Sequence, residues 1–342
     1  MARLLSLLAP ALVGLLASLP LAVADDLDSR SWSEVRSENF QIKSVLSAER
    51  TTELLRHLEI MRSSLGGANA AGSGTGVRTV IIAVDKHDDY VSIGAPAYSA
   101  GFFFSDLREN AILIEDSDQA SGIQVILHEY AHFLNKQSGR IRYPRWYEEG
   151  NAEYLSHSRL QAQAFEFGLA PEKHLAALSF SAWLPLRRII EVTDVSALDE
   201  TEGALFYGQA WLLVHYLRSL PGSDGAIPGM LQEYARLVSA GTLLAPAFEQ
   251  SFGLQIDVLE DTLLKYFLER DFASRRVPAN TALPGFVTRS RKLSEAEAQL
   301  ALAQMALRFE NIFGAEQWFS AVLADNNLRA YGEAGLGRVL GY

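Results

Sequence analysis

Apolar positions in the first third of the chain switch between the spacing of strands and the spacing of helices. Residues 39–45 alternate apolar and polar side chains, which predicts a half-buried strand. Apolar residues at helical spacing predict a helix over residues 48–65, and the five glycines of residues 66–76 predict a flexible loop after it. Three further apolar runs predict strands at residues 77–84, 98–104 and 111–115. Residues 25–116 are therefore expected to form a small α/β unit.

Helical spacing dominates the middle of the chain, from residue 117 to about residue 275. The clearest run has apolar residues three or four positions apart, which places them on one face of a helix that ends near Gly139. A second, strongly apolar helix is predicted over residues 205–220. This region is expected to be mostly helical.

The last part of the chain, residues 290–342, has alanine-rich helical patterns. Ala315 and Phe319, with Val322 after them, resemble the second helix of a tetratricopeptide-type hairpin, although the proline that usually follows such a helix is missing. An ordinary C-terminal helical cap fits the same pattern. Because one such unit cannot bury its own apolar face, the segment should pack on the rest of the protein or bind a protein partner.

Residues 1–24 have the pattern of a signal peptide. Arg3 precedes an apolar stretch, and Ala22-Val23-Ala24 is a small-x-small cleavage signature; a retained N-terminal anchor is the alternative. No later run reaches the roughly 18 apolar residues that a membrane-spanning helix needs. The mature protein is therefore expected to be exported, without a transmembrane span, and to be periplasmic or secreted.

The composition limits the functions that the protein can have. The chain has 342 residues, 49% of them hydrophobic, and a formal net charge of -11, which argues against a nucleic-acid partner. It has no cysteine. Disulfides and thiolate metal sites are therefore excluded, and any metal must be bound by histidine and carboxylate side chains.

The main candidates for functional residues lie in the predicted helix that ends near Gly139. It contains the pattern His-Glu-x-x-His at residues 128–132. Histidines four positions apart share one face of a helix, so His128 and His132 can bind a single metal ion. Zinc accepts imidazole nitrogen readily, and a catalytic zinc site needs a third protein ligand and a position for water. Glu129 lies beside that face, where it can take a proton from the water.

The third ligand has several candidates. A metzincin would have a histidine six residues after His132, but Ser138 occupies that position, so this class is excluded. A glutamate from a following helix is the other common solution, and Glu148, Glu149 and Glu153 all come next in the chain. Glu153 is also a candidate to orient one of the histidines.

The residues around these glutamates, 146–154, follow the pattern Trp-x-x-Glu-Gly-x-Ala-x-Tyr. With the His-Glu-x-x-His helix, this pattern resembles the gluzincin metallopeptidases, and specifically the peptidase MA-like domains. The resemblance assigns Glu149 as the third zinc ligand. It implies an α+β, zincin-like (gluzincin) catalytic domain, with a small N-terminal mixed sheet in residues 25–116 and a mostly helical zinc-binding part in residues 117–275.

Tyr207 is a further candidate for catalysis, at the start of the apolar helix over residues 205–220. Aminopeptidases of the gluzincin clan have a tyrosine at a similar place, whose hydroxyl binds the oxyanion of the tetrahedral intermediate. A core tyrosine with a satisfied hydroxyl is the alternative. The strand with which such aminopeptidases hold the substrate's amine is matched here only by Glu109-Asn110, so the exopeptidase interpretation is weak.

The leading functional hypothesis is an exported zinc-dependent peptidase, in which zinc activates a water molecule, Glu129 acts as general base and a peptide or protein is the substrate. The alternative is a binding or assembly protein of the cell envelope, with a latent metallopeptidase domain and a partner at the C-terminal helices. A third possibility is hydrolysis of a different bond, such as another amide.

Overall fold

A computed structural model of the protein describes residues 27–70, 78–105, 110–137, 142–279 and 289–341. The predicted signal peptide, residues 1–24, lies outside the described residues, and so do Glu109, Ser138 and Gly139.

Two β-sheets form among the described residues. The larger has six strands in the order β4-β5-β3-β2-β1-β9, and the smaller has three in the order β6-β7-β8. In the larger sheet β2, β3 and β5 run parallel, whereas β4, β1 and β9 pair antiparallel with their neighbours. The strands are β1 (Ser33–Arg36), β2 (Phe40–Ser44), β3 (Thr79–Val84), β4 (Gly101–Ser105), β5 (Asn110–Glu115), β6 (Arg159–Leu160), β7 (Ala164–Phe167), β8 (Arg275–Pro278) and β9 (Arg289–Lys292).

Helices occupy both faces of the larger sheet and most of the middle of the chain. They are α1 (Ala48–Ala70), α2 (His87–Ile93), α3 (Gln119–Gln137), α4 (Arg145–Ser156), α5 (Glu172–Phe180), α6 (Leu186–Glu191), α7 (Glu200–Ser219), α8 (Ser223–Ser239), α9 (Leu244–Phe252), α10 (Ile256–Glu269), α11 (Glu295–Arg308), α12 (Ile312–Val322) and α13 (Arg329–Val339). The described part of the chain is therefore of the mixed α+β class. It contains no helix that is both long and apolar enough to cross a membrane.

One face of the larger sheet holds α1 and α3. Alternate strand residues such as Ile42, Ile81 and Ile112 are fully buried there against Leu58 of α1 and Leu127 of α3. Side chains of a strand point to opposite faces in turn, so this face receives every second residue. The same hydrophobic cluster includes buried residues of α4 and α7. One core therefore extends from the sheet, past α3, into the helices of the middle region.

The opposite face of the sheet is covered by α2 and by the C-terminal helix α11. Ile82 and Leu113, on the strand positions between those of the first face, are buried with Leu302 and Met305 of α11. The strand β9 precedes α11 and pairs with β1, so that Ser33 lies opposite Lys292. The C-terminal segment therefore buries the apolar face of α11 against the N-terminal sheet and supplies one strand of that sheet.

Several predicted boundaries are wrong. Residues 66–70 continue α1, whereas a loop was expected from residue 66. The middle region is mostly helical but also contains the short strands β6 and β7, and the N-terminal sheet includes β9 from outside residues 25–116. β6 has only two residues, and no side chain of β9 is buried, so neither strand has an apolar pattern from which it could be predicted.

Candidate metal centre

Helix α3 carries His128 and His132 on the side that faces α4, while Leu127 and Tyr130 are buried beneath the sheet. The start of α3 is held by a buried ion pair, in which Arg50 of α1 donates to both oxygens of Asp116 at 2.8 and 2.6 Å. A bidentate pair of this kind fixes direction as well as distance. The two histidines are therefore presented by a helix that is anchored to the sheet.

Helix α4 brings Glu149 to the histidines, and the next residue allows α4 to approach α7 closely. A Cβ atom at Gly150 would collide with the backbone carbonyl of Ala210 in α7. Only glycine permits this approach without a shift of one helix. The Glu-Gly pair therefore has two roles here, a carboxylate for the site and a contact between the helices.

The three side chains place one lone-pair atom each at the corners of a small triangle. The Nε2 atoms of His128 and His132 are 3.2 Å apart, and Oε2 of Glu149 lies 3.5 Å from each of them. Four ligands arranged tetrahedrally at about 2.0–2.1 Å from an ion are separated by about 3.3–3.4 Å, so the triangle matches three corners of such a site. These residues form a group that could hold a metal ion.

The pKa values of the two histidines are shifted in opposite directions. Burial lowers the pKa of His132 to about 4. Burial also acts against a charge on His128, but Glu149 and Glu153 outweigh it and hold the pKa of His128 well above its ordinary value. The carboxylates of Glu149 and Glu153 therefore favour a positive charge at His128.

Glu129 is buried between the histidines and the edge strand β4. Burial raises the pKa of its carboxyl group to about 7, and the backbone N–H of Phe103 donates a hydrogen bond to it. A Cβ atom at Gly101 would lie 2.8 Å from Cγ and 2.9 Å from Oε1 of Glu129. Gly101 therefore leaves the space that the Glu129 side chain occupies against the strand.

Tyr207 reaches the site from α7. Its ring centroid is 6.5 Å from that of His128, with the planes tilted by 58°. Burial and the nearby carboxylates of Glu149 and Glu153 raise the pKa of its hydroxyl well above the ordinary value. The hydroxyl therefore stays protonated and can act as a hydrogen-bond donor beside the histidines.

Glu153 lies behind the histidines, on the side away from the triangle. Its Oε1 is 3.0 Å from Nδ1 of His128, so the expected contact with a histidine is present. Its Oε2 is 2.8 Å from Nε2 of His174 and 3.3 Å from Nδ1 of His157. Burial acts against its charge, but hydrogen bonds with His128 and His174 lower the pKa of Glu153 well below its ordinary value. The carboxylate is therefore held in its charged form.

A buried polar network links the two ligand-bearing helices to α7. Asn151 of α4 donates to Oδ1 of Asn135 in α3 at 2.8 Å, and Arg218 of α7 donates to Oδ1 of Asn151 at 2.6 Å. Buried polar groups that satisfy one another fix a single relative position of the elements that carry them. The network therefore sets the register of α3 against α4 next to the metal centre.

The structure brings the predicted ligands His128, His132 and Glu149 together, and Glu129 and Tyr207 lie beside them. Of the other two glutamates, Glu153 is behind the site and Glu148 is paired with Arg145 at 3.0 Å. The sequence did not point to His174, because it follows Glu153 by 21 residues on another helix. His157 follows Glu153 by four residues on the same helical face, and this spacing could have revealed their contact.

Comparison with known proteins adds no family to these observations. The chain matches no model of a protein family, and no curated protein matches it. What the protein does must therefore be argued from the geometry of this site.

Proposed function

We propose that the protein is an exported zinc-dependent peptidase with a zincin-like catalytic domain. The observation that carries the proposal is the triangle of His128, His132 and Glu149, with Glu129 beside it. All three ligand atoms come from imidazole or carboxylate groups, a set that suits zinc, and no thiolate competes because the chain has no cysteine. The signal-like pattern of residues 1–24 supports an activity outside the cytoplasm.

The residues around the triangle have separate roles in this proposal. When bound, zinc would acidify a water molecule and polarise the carbonyl that is cleaved. Glu129 takes a proton from the attacking water and delivers it to the leaving amine. The hydroxyl of Tyr207 donates a hydrogen bond to the oxygen that becomes negatively charged, an interaction that is strongest in the transition state.

The edge strand β4 supports a peptide as the substrate. Ala100 accepts a hydrogen bond from the N–H of Glu115 at 2.8 Å, so the backbone of Gly101 and Phe103 faces the outer edge of the sheet. Within the described residues no strand pairs with that edge, which lies next to Glu129. An extended peptide added along β4 would pass over the metal centre.

The experiment that tests the proposal is digestion of a mixed peptide library, read by mass spectrometry, with wild-type protein and the variant Glu129→Gln. Zinc content is measured in both proteins, because the variant keeps the three ligands. We expect stoichiometric zinc in both and cleavage by the wild type alone. Internal cuts would identify an endopeptidase, and removal of terminal residues an exopeptidase.

Two controls make the result specific. Tyr207→Phe keeps the ring and removes the hydroxyl, and it should lower kcat by about a hundredfold or more with little change in KM. Cleavage that survives in Glu129→Gln would contradict the mechanism. Zinc binding by a wild-type protein that cuts no peptide would instead favour the latent, partner-binding alternative.

A further inference from the structure

We propose that His174 is a positioning residue of the metal centre, which acts on His128 through Glu153. The inference rests on the proposed zinc-dependent function, because it concerns how one zinc ligand is held. It adds a residue that lies on neither of the two helices that carry the ligands.

Glu153 determines which nitrogen of His128 carries the proton. When a metal binds at Nε2 the His128 ring is neutral, and its one proton must be on the other nitrogen, Nδ1. Nε2 of His128 faces the other two ligand atoms, whereas Nδ1 lies 3.0 Å from Oε1 of Glu153. Glu153 therefore keeps the proton on Nδ1, which leaves the lone pair of Nε2 for a metal.

The position of the Glu153 carboxylate depends in turn on the donors around it. A buried carboxylate needs hydrogen-bond donors on both oxygens, and its conformation follows from where they are. Oε2 receives its shortest contact from Nε2 of His174 at 2.8 Å. The Nδ1 atom of His157 is 3.3 Å away from the same oxygen and 2.9 Å from the backbone oxygen of Glu153, so its N–H is committed mainly to the backbone.

His174 is positioned by the packing of its own helix. It lies in the first turn of α5, and α5 packs on α7, where Leu178 Cγ would be 3.2 Å from a Cβ atom at Gly208. Although α5 carries no ligand, it supplies the N–H that orients Glu153. The chain His174–Glu153–His128 therefore extends the metal centre to a third helix.

The test measures the zinc affinity of the metal-free protein by competition with a chelator, together with its melting temperature. His174→Leu removes the donor, His174→Phe does so with an aromatic ring, and His174→Gln keeps an N–H donor. Changes in groups that orient zinc ligands typically weaken metal affinity about 10- to 100-fold. We expect a loss of about tenfold in the Leu and Phe variants, at the low end of that range, and near wild-type affinity in the Gln variant.

A matched control is His57→Leu. Nδ1 of His57 donates a hydrogen bond to the backbone oxygen of Glu53 on its own helix, 2.9 Å away, so this variant removes a histidine without touching the chain of contacts. Zinc affinity should stay unchanged in it. A loss equal to that of His174→Leu would mean that the effect is general.

A double-mutant cycle separates positioning from packing. If His174 acts through Glu153, then His174→Leu should cost nothing further in a Glu153→Gln background. A merely structural histidine would lower the melting temperature and the zinc affinity by the same amounts in both backgrounds, and that additivity would overturn the proposal, as would wild-type affinity in both His174→Leu and His174→Phe. Peptide cleavage is absent from these readouts, so a failed peptidase assay leaves this test standing.

Discussion

At the scale of single residues, burial gives histidines of this protein different roles. His215 is buried on α7, where its Nδ1 is 2.8 Å from the hydroxyl of Tyr266 and its Nε2 is 3.1 Å from the backbone oxygen of Gly168. A carbonyl oxygen can only accept, so Nε2 donates and Nδ1 accepts from Tyr266. Both nitrogens are used by a neutral ring, which identifies His215 as a structural residue.

This arrangement predicts a loss of stability in mild acid. Burial lowers the pKa of His215 from about 6.5 to about 4, so between these pH values the unfolded chain binds a proton that the folded protein does not. The free energy of unfolding should therefore fall as the pH falls through this window, by up to about 3 kcal/mol from this residue. Urea denaturation of the metal-free protein at several pH values measures it.

The matching variant is His215→Gln, whose amide can donate to Gly168 and accept from Tyr266 without titrating. The other acidic and basic groups are the same in both proteins, so the difference between their pH profiles isolates His215. Parallel profiles from pH 7 to pH 4 would show that the buried ring is not the source of acid sensitivity.

At the scale of elements, the sequence predicted residues that share one helix or one motif. It did not predict the contacts between side chains of different helices. His128, Glu129 and His132 are read from the period of a single helix, and Glu149 from a motif on the next. The contact of His174 with Glu153 joins two helices that the strands β6 and β7 separate in the sequence, and no periodicity encodes it. The network of Asn135, Asn151 and Arg218 is of the same kind.

The close approach of α4 and α7 leads to an element-scale prediction. Gly150→Ala should push the two helices apart, because the added Cβ has no space at the carbonyl of Ala210. Since Glu149 and Tyr207 lie on these two helices, we expect a lower melting temperature together with weaker zinc binding. Overpacking of a well-filled contact costs about 1–3 kcal/mol.

Gly203→Ala provides the control on α7. A Cβ atom there meets nothing within 4 Å, so the substitution should stabilise the helix by about 0.5–1 kcal/mol through higher helix propensity. Calorimetry and chelator competition on both variants give the comparison. A Gly150→Ala protein with wild-type zinc affinity would show that the spacing of α4 and α7 does not set the site.

At the scale of the whole molecule, the C-terminal segment is part of the N-terminal sheet. Its strand β9 has the sequence Arg-Ser-Arg-Lys and no buried side chain, so backbone pairing with β1 and the 3.0 Å ion pair of Arg291 with buried Glu34 hold it in place. Hydrophobic periodicity could not predict such a strand. The fold class was predictable from the strong periodic segments, but this long-range closure was not.

Removal of residues 289–342 should therefore destabilise the sheet and the helices that carry the candidate metal ligands. It deletes β9 and uncovers the face of the sheet on which Leu302 and Met305 of α11 are buried, and burial of two such side chains contributes about 3–6 kcal/mol. That is a large share of the stability of a typical protein. We expect an insoluble or broadly unfolding protein, as measured by solubility and circular dichroism.

A shorter deletion, of residues 329–342, is the control, because it removes α13 but keeps β9 and α11. It should leave a cooperative unfolding transition and zinc binding. A protein without residues 289–342 that melts like the wild type would contradict this assignment and would make the C-terminal segment an independent module.

The pairing of β9 with β1 also affects when the sheet can fold during synthesis of the chain. Glu34 and Arg291 are 257 residues apart, so the first strand of the sheet leaves the ribosome long before its last partner is synthesised. Contacts of such separation form late and slow the completion of folding. The sheet under α3 is thus completed only after β9 has been synthesised. Before β9 is made, a nascent chain would therefore carry His128, His132 and Glu149 on an unfinished support, which delays the assembly of this cluster.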